Sequence, residues 1–358
     1  MAPVPGSPLC TSQPREPLGD RTPLAQRFPR AFRFREGLQV VLVLLSGVLP
    51  SAASAQGLRS LSLSVDNDGL VFWESTRKRT DWYYTHGMKV EATGSWALPG
   101  AGLLSPDDPT VCAPDPGPEP CILSRITFGQ AIYTPKMLFS DDPPIEDRPY
   151  AGWLFVDAST ALASQEGASS LGVQVGITGG PSLASPLHRW FHTSLGKHEP
   201  MGWENQIPFE VAFAVTYEAR RFLSILPVSW PGSLQIEPRG SVSIGTLRTG
   251  AMAGISIRAG WNAPSSIDWW GARPGKAYLL LALGSEGEVV IRDLFLDGST
   301  WGRSAHADLE PLIGRLTGRM QVGLGGFGLE IAASQSSIQF RGQEGKHTVG
   351  TVRAIIRP

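Results

Sequence analysis

Cysteine is scarce in this chain: three in 358 residues are too few for a disulfide-stapled scaffold. Charge is scarce as well. Acidic and basic side chains make up 18% of the residues and nearly cancel, leaving a formal net charge of −1. That balance excludes a polycation built to wrap nucleic acid, and no nucleic-acid partner is expected. Long apolar runs are missing too. A membrane-crossing helix takes about 20 residues, the run Leu38 to Leu49 falls short, and no later run is long enough. GxSxG, HExxH, GxxxxGK and CxxC do not occur, which removes the commonest hydrolase, metalloprotease, phosphate-loop and thiol-redox signatures. What the chain does have is 41 glycines, 30 prolines and eleven tryptophans, the last all beyond residue 55. That aromatic density suits the interfacial belts of a membrane protein.

Residues 1–55 read as a separate piece. Arg27, Arg30, Arg33 and Arg35 precede the apolar run, and Ala53-Ser54-Ala55 follows it as a small-x-small cleavage site. That order predicts a secretory signal peptide with an N-terminal extension, cut before Gln56. Removing it takes away six arginines and three acids, which moves the formal charge from −1 to −4. Cys10 leaves with it. Cys112 and Cys121 flank a Pro-rich octet and are expected to pair in an oxidising periplasm.

Beyond residue 56 the pattern has a period of two. Leu61, Leu63 and Val65 alternate with Ser60, Ser62 and Ser64. Ile207, Phe209, Val211, Phe213, Val215 and Tyr217 alternate with Pro208, Glu210, Ala212, Ala214, Thr216 and Glu218. Each such strand has one apolar face and one polar or small face, as expected equally of a soluble sandwich and a transmembrane barrel. Length decides between them. These segments run to about 11–15 residues, where soluble strands average about 5–6, and helical patterns are nearly absent. The expected fold is all-β, a twelve-stranded antiparallel outer-membrane β-barrel over 56–358. Its strands fall at 57–67, 81–95, 122–134, 150–163, 169–179, 206–222, 232–248, 249–262, 276–293, 309–323, 326–340 and 346–357. With the N-terminus in the periplasm, the connections after odd-numbered strands face the cell exterior. One of these holds a short helix, opened by Ser185 and Pro186 and stopped by Gly196. Leu187, Trp190, Phe191 and Leu195 form its apolar stripe, and the other face carries His188 and His192.

The chemistry-bearing residues gather at the outer strand ends. Asn67-Asp68 closes strand 1, and Thr80-Asp81-Trp82-Tyr83-Tyr84-Thr85-His86-Gly87 opens strand 2. Tyr133-Thr134-Pro135 closes strand 3, and Asp147-Arg148-Pro149-Tyr150-Ala151-Gly152-Trp153 opens strand 4. His192 lies on the helix, and Gly202-Trp203-Glu204-Asn205-Gln206 opens strand 6. In that order, ND…TDxYYTxG…YTP…DRPYAGW…HxxxG…GWxxQ, the chain resembles the lipid A 3′-O-deacylase (LpxR-like) family of outer-membrane barrels over roughly 60–220. The resemblance implies a twelve-stranded barrel and calcium-dependent hydrolysis of an ester-linked acyl chain of lipid A. Matched motif by motif, it implies that Asn67, Asp68, Thr85 and His192 are active-site residues.

Those residue types suit the reaction. Ester hydrolysis needs a base to activate water, and an ordinary imidazole titrates near ~6.5. It also needs positive charge where the oxyanion develops, which calcium held by Asp68 and the Asn67 amide would supply. The Thr85 hydroxyl suits holding a ligand or orienting water. Phase along strand 1 sets Asp68 with inward Ser62 and Ser64, and Asn67 with outward Leu63 and Val65. Arg148 and Lys136 are the candidates for meeting lipid A phosphate. Where family members can carry more Lys or Arg after the YTP motif, this chain has Lys136 followed by Asp141 and Asp142.

Each residue also has a plainer reading. Asn-Asp at a strand end commonly makes an Asx turn, Thr85 suits any strand, and His192 suits an exposed helix face. His188 and His192, one turn apart, resemble half of a zinc site without its acidic or Cys ligand. The alternative function is a non-catalytic barrel, either a pore or a structural protein. The partners expected for the enzyme are the outer membrane and lipid A in its outer leaflet, with the barrel acting as a monomer.

Overall fold

A computed structural model describes residues 57–71, 82–104, 110–113, 119–140, 146–225, 232–262 and 276–358. The expected signal segment 1–55 and its cleavage site lie outside these residues, as do Thr80 and Asp81. Twelve long strands follow one another: β1 (Leu58–Asn67), β2 (Tyr83–Gly94), β3 (Cys121–Thr134), β4 (Ala151–Ala163), β5 (Gly167–Ile177) and β6 (Val211–Arg221), then β7 (Gly232–Gly245), β8 (Arg248–Trp261), β9 (Tyr278–Asp293), β10 (Leu312–Leu324), β11 (Phe327–Ser336) and β12 (His347–Ile356). Leu223–Ser224 adds a short rung beyond β6. Every neighbour pair is antiparallel. β1 pairs with β12 through Val65↔Val352, and β6 pairs with β7 through Tyr217↔Val242, so the sheet closes on itself. Closure removes the unpaired edges that an open sheet would expose.

The alternation read from the sequence is physical. Ser60, Ser62, Ser64 and Asp66 are buried in the lumen, while Leu61 and Leu63 stand exposed on the outside. The same phase leaves Phe213, Val215, Ile255, Ile257, Leu281 and Leu283 outside. A belt of this extent is far larger than a soluble monomer exposes, and it matches the lipid-facing band of a membrane barrel. Inside, charges face charges, as where Lys89 lies 2.7 Å from Asp66.

The connections after odd-numbered strands all lie at one end. There α1 (Leu294–Asp297), capped by Asp293 accepting from the Phe295 N–H at 2.9 Å, folds into the mouth. Phe295 stacks on Tyr133 at 4.3 Å and meets Trp153 edge-on at 5.8 Å. Ile207, Leu247 and Leu294 complete this aromatic and aliphatic plug. At the opposite end, Cys112 and Cys121 are joined by a disulfide.

The helix of the β5–β6 connection, α2 (Ala184–Ser194), differs from expectation in two ways. Ser185 does not cap it: Leu183, in the left-handed region at φ +60°, holds that position without a side-chain bond, and Ser185 lies inside the first turn. Gly196 does stop it, its φ of +66° letting the Lys197 N–H turn back to the His192 carbonyl at 2.9 Å. The second difference is orientation. His188 and His192 are buried, the latter 1% exposed, while Trp190 and Leu195 of the apolar stripe are 63% and 56% exposed. α2 lies against the outside of the wall, so its polar face finds partners in the rim and its apolar face shares the barrel's lipid-facing side.

Candidate active site

The outer end of β2 carries a β-bulge. Tyr84 opposes Tyr133 and His86 opposes Ile132, leaving Thr85 as the extra residue. Bulges re-aim side chains and bend strands. Tyr133 faces the mouth, where it stacks on Phe295, so alternation turns Ile132 and Thr134 to the outside. Thr85 meets Thr134 there, with their Oγ1 atoms 2.6 Å apart and both residues buried. Asn67, the last residue of β1, opposes His86. Its Nδ2 donates to the Thr85 carbonyl at 2.7 Å, and its Oδ1 accepts from the Gly69 N–H at 2.7 Å. Asn67 thus makes an Asx turn and also ties that turn to the bulge.

Asp68 opens a single 3-10 turn, Asp68–Leu70, and is buried. Its Oδ2 accepts from the Trp82 N–H at 2.8 Å. Lys136 lies on the same side: its Nζ sits 5.6 Å over the Trp82 ring and pairs with Glu344. Asp147 fixes the segment that carries Lys136. Its Oδ2 accepts from the Lys136 N–H at 2.7 Å and its Oδ1 from the Arg148 N–H at 2.8 Å. Burial raises the Asp147 carboxyl above its ordinary range, against the lowering effect of these bonds.

Arg148 lies elsewhere. It is 3% exposed and turned into the mouth, over the Tyr133 ring at 4.7 Å. Burial lowers its guanidinium, with Asp293 the chief opposing charge. A side chain so placed braces the plug and is not offered to the membrane surface.

His192 reaches the rim through its helix. Gln130 Nε2 donates to the Ser182 carbonyl at 2.6 Å. Gly152 lies so close to Ser182 and Ala184 that a Cβ would collide with both, which explains why the DRPYAGW motif needs glycine there. Phe191 then lies 5.9 Å from the His86 ring, directly across from Asn67. The Nδ1 of His192 is 2.8 Å from the His198 carbonyl. A carbonyl can only accept, so Nδ1 carries a proton, and in the neutral ring it is Nε2 that keeps the lone pair. Behind it, His188 packs edge-on at 4.6 Å, and the Trp203 indole N–H donates to His188 Nδ1 at 3.2 Å.

The structure therefore joins Asn67 to Thr85 directly and seats the His192 helix on the same stretch of wall. Asp68 and Lys136 adjoin it around Trp82, and Arg148 is separate. Sequence reasoning missed the parts played by Thr134, Trp203 and the His198 carbonyl. Thr134 and Trp203 stand within the YTP and GWxxQ motifs, but their partners are remote in sequence. Among the described residues no three His, Cys, Asp or Glu side chains gather as a metal site. His188 Nδ1 accepts from the Trp203 N–H, so its lone pair is turned away from His192, and this arrangement does not present the two rings together to one zinc ion. The oxygens placed around Asn67 and Asp68 are a carboxylate, an amide oxygen and the Thr85 carbonyl. Such hard oxygen donors suit calcium.

A family model described as outer membrane protein LpxR matches residues 38–357. Among solved structures, LpxR from Salmonella typhimurium superposes with a TM-score of 0.68 at 15% identity, covering 84% of this chain and 100% of that one. The β domain of the Bordetella autotransporter BrkA matches with a TM-score of 0.38 at 8% identity, over 84% of this chain and 98% of that one. The translocator domain of NalP from Neisseria meningitidis gives 0.35 at 10% identity, over 92% and 100%. No curated protein matches the chain at a significant level.

Proposed function

The chain belongs to the LpxR family of outer-membrane proteins, and we propose that it is a calcium-dependent esterase releasing an ester-linked acyl chain from lipid A in the outer leaflet. The observation that carries this is the seating of the His192 helix on the Asn67–Thr85 rim, beside the lipid-facing belt. There a glycolipid headgroup meets its acyl chains. His192 acts as general base through Nε2, its ring oriented by the His198 carbonyl. It takes a proton from water as the water oxygen bonds to the ester carbonyl carbon. The tetrahedral adduct then expels the sugar hydroxyl, which takes that proton back as the ester C–O bond breaks. Thr85, held by Thr134, orients the water. Calcium bound by Asp68 with the Asn67 amide oxygen would supply positive charge for the oxyanion. Lys136, which lies over Trp82 and pairs with Glu344, is assigned the lipid A phosphate. The pore alternative is disfavoured by the Tyr133–Phe295–Trp153 plug across the mouth.

The test uses the refolded barrel in detergent with lipid A micelles. Fatty-acid release should require calcium, stop on chelation and return when calcium is restored. Release that chelation leaves unchanged would remove calcium from the mechanism.

A further inference from the structure

The half of the lumen away from the rim holds a cavity of about 340 Å³, lined from every strand except β4 and β5. Seven arginines and four glutamates line it. Luminal charges in a barrel wall ordinarily balance, because an uncompensated buried charge is costly. Here they do not. Arg353 bridges Glu91 and Glu330 at 4.0 Å each, and each of these acids already lies 3.6 Å from a second arginine, Arg125 or Arg319. Close charge-assisted bonds run at about 2.7–2.9 Å, so the Arg353 fork is not drawn tightly onto either carboxylate. The Nε atoms of Arg353 and Arg357 are buried and hydrogen-bond to none of the described residues. Counting the adjoining Arg315, Glu286 and Asp157 still leaves positive charge in excess. Guanidinium keeps its proton at any physiological pH, and its planar fork matches tetrahedral oxyanions. Low-dielectric walls focus the resulting potential. The aromatic cluster of the mouth lies at the rim end, away from this cavity.

We propose that this cavity is a binding site for a small multivalent oxyanion, phosphate or a phosphate monoester, separate from the rim site. Calorimetric titration of the folded full-length barrel in detergent, at fixed ionic strength, tests it with inorganic phosphate and glycerol phosphate as separate probes. Saturable binding of at least one is expected, with a Kd of about 1 mM or tighter. Binding of only one tells whether the free ion or the ester is the ligand. Arg353→Gln and Arg357→Gln, each checked for folding by its unheated gel mobility, should each weaken binding about tenfold or more. Both should keep acyl release, whereas His192→Ala should keep anion binding. No saturable binding of either probe to the wild type, or wild-type affinity in whichever folded variants are obtained, overturns the proposal.

Discussion

Thr85 acts from a position where its own strand gives it no partner. Its hydroxyl is set by Thr134, 49 residues along the chain and 2.6 Å away. Replacing Thr134 by Val preserves volume and strand preference but removes that oxygen. Thr134→Val should lower kcat on lipid A micelles about tenfold or more, by analogy with the loss of a polar group at a transition state, and Thr134→Ser should retain it. Equal kcat in all three would show that Thr85 needs no orienting. The residue types at this rim were legible in the sequence, because Asn67, Thr85 and His192 each sit in a recognisable motif at a strand or helix end. Their bonding was not. A one-residue bulge decides where Thr85 points, and a carbonyl six residues beyond His192 decides which ring nitrogen keeps the lone pair. Arg148 was misjudged for a related reason. Nothing local shows that Tyr133 would take its guanidinium inward.

Elements were easier to read than their orientation. The period-two pattern located all twelve strands, since a half-buried wall must alternate, but it started β6 five residues early, because Ile207 packs into the cluster at the mouth and the strand begins only at Val211. α2 was equally visible from its 3.6-residue stripe and from Gly196. Which face it buries depends on the solvent outside: beside lipid, Trp190 and Leu195 stay exposed, and the histidines turn to the polar rim. The element is held where the side chains of Ser182 and Ala184 close onto Gly152. Gly152→Val should therefore lift α2 from the wall and abolish acyl release while β1–β12 remain closed. Loss of activity with unchanged unheated gel mobility is the expected result. Full activity would mean that α2 need not touch the wall.

At the scale of the molecule, an apolar belt surrounds a charged lumen capped by aromatic side chains at the rim, and that belt has to be covered by lipid or detergent. The chain expressed in a Gram-negative host should fractionate with the outer membrane, begin at Gln56 by N-terminal sequencing, and migrate faster unheated than heated. A processed protein recovered as a soluble periplasmic species would contradict the barrel. The central claim is that the rim beneath α2 hydrolyses lipid A. It is tested most directly by mass spectrometry of lipid A from cells expressing the wild type, His192→Ala or Asp68→Ala. The wild type should shift lipid A down by the mass of one ester-linked acyl chain. Both variants should insert as folded barrels and lose about 10²–10³ or more in rate, leaving lipid A intact. Lipid A trimmed equally by all three would place the chemistry elsewhere, and lipid A untouched by all three would make this a barrel without the proposed activity.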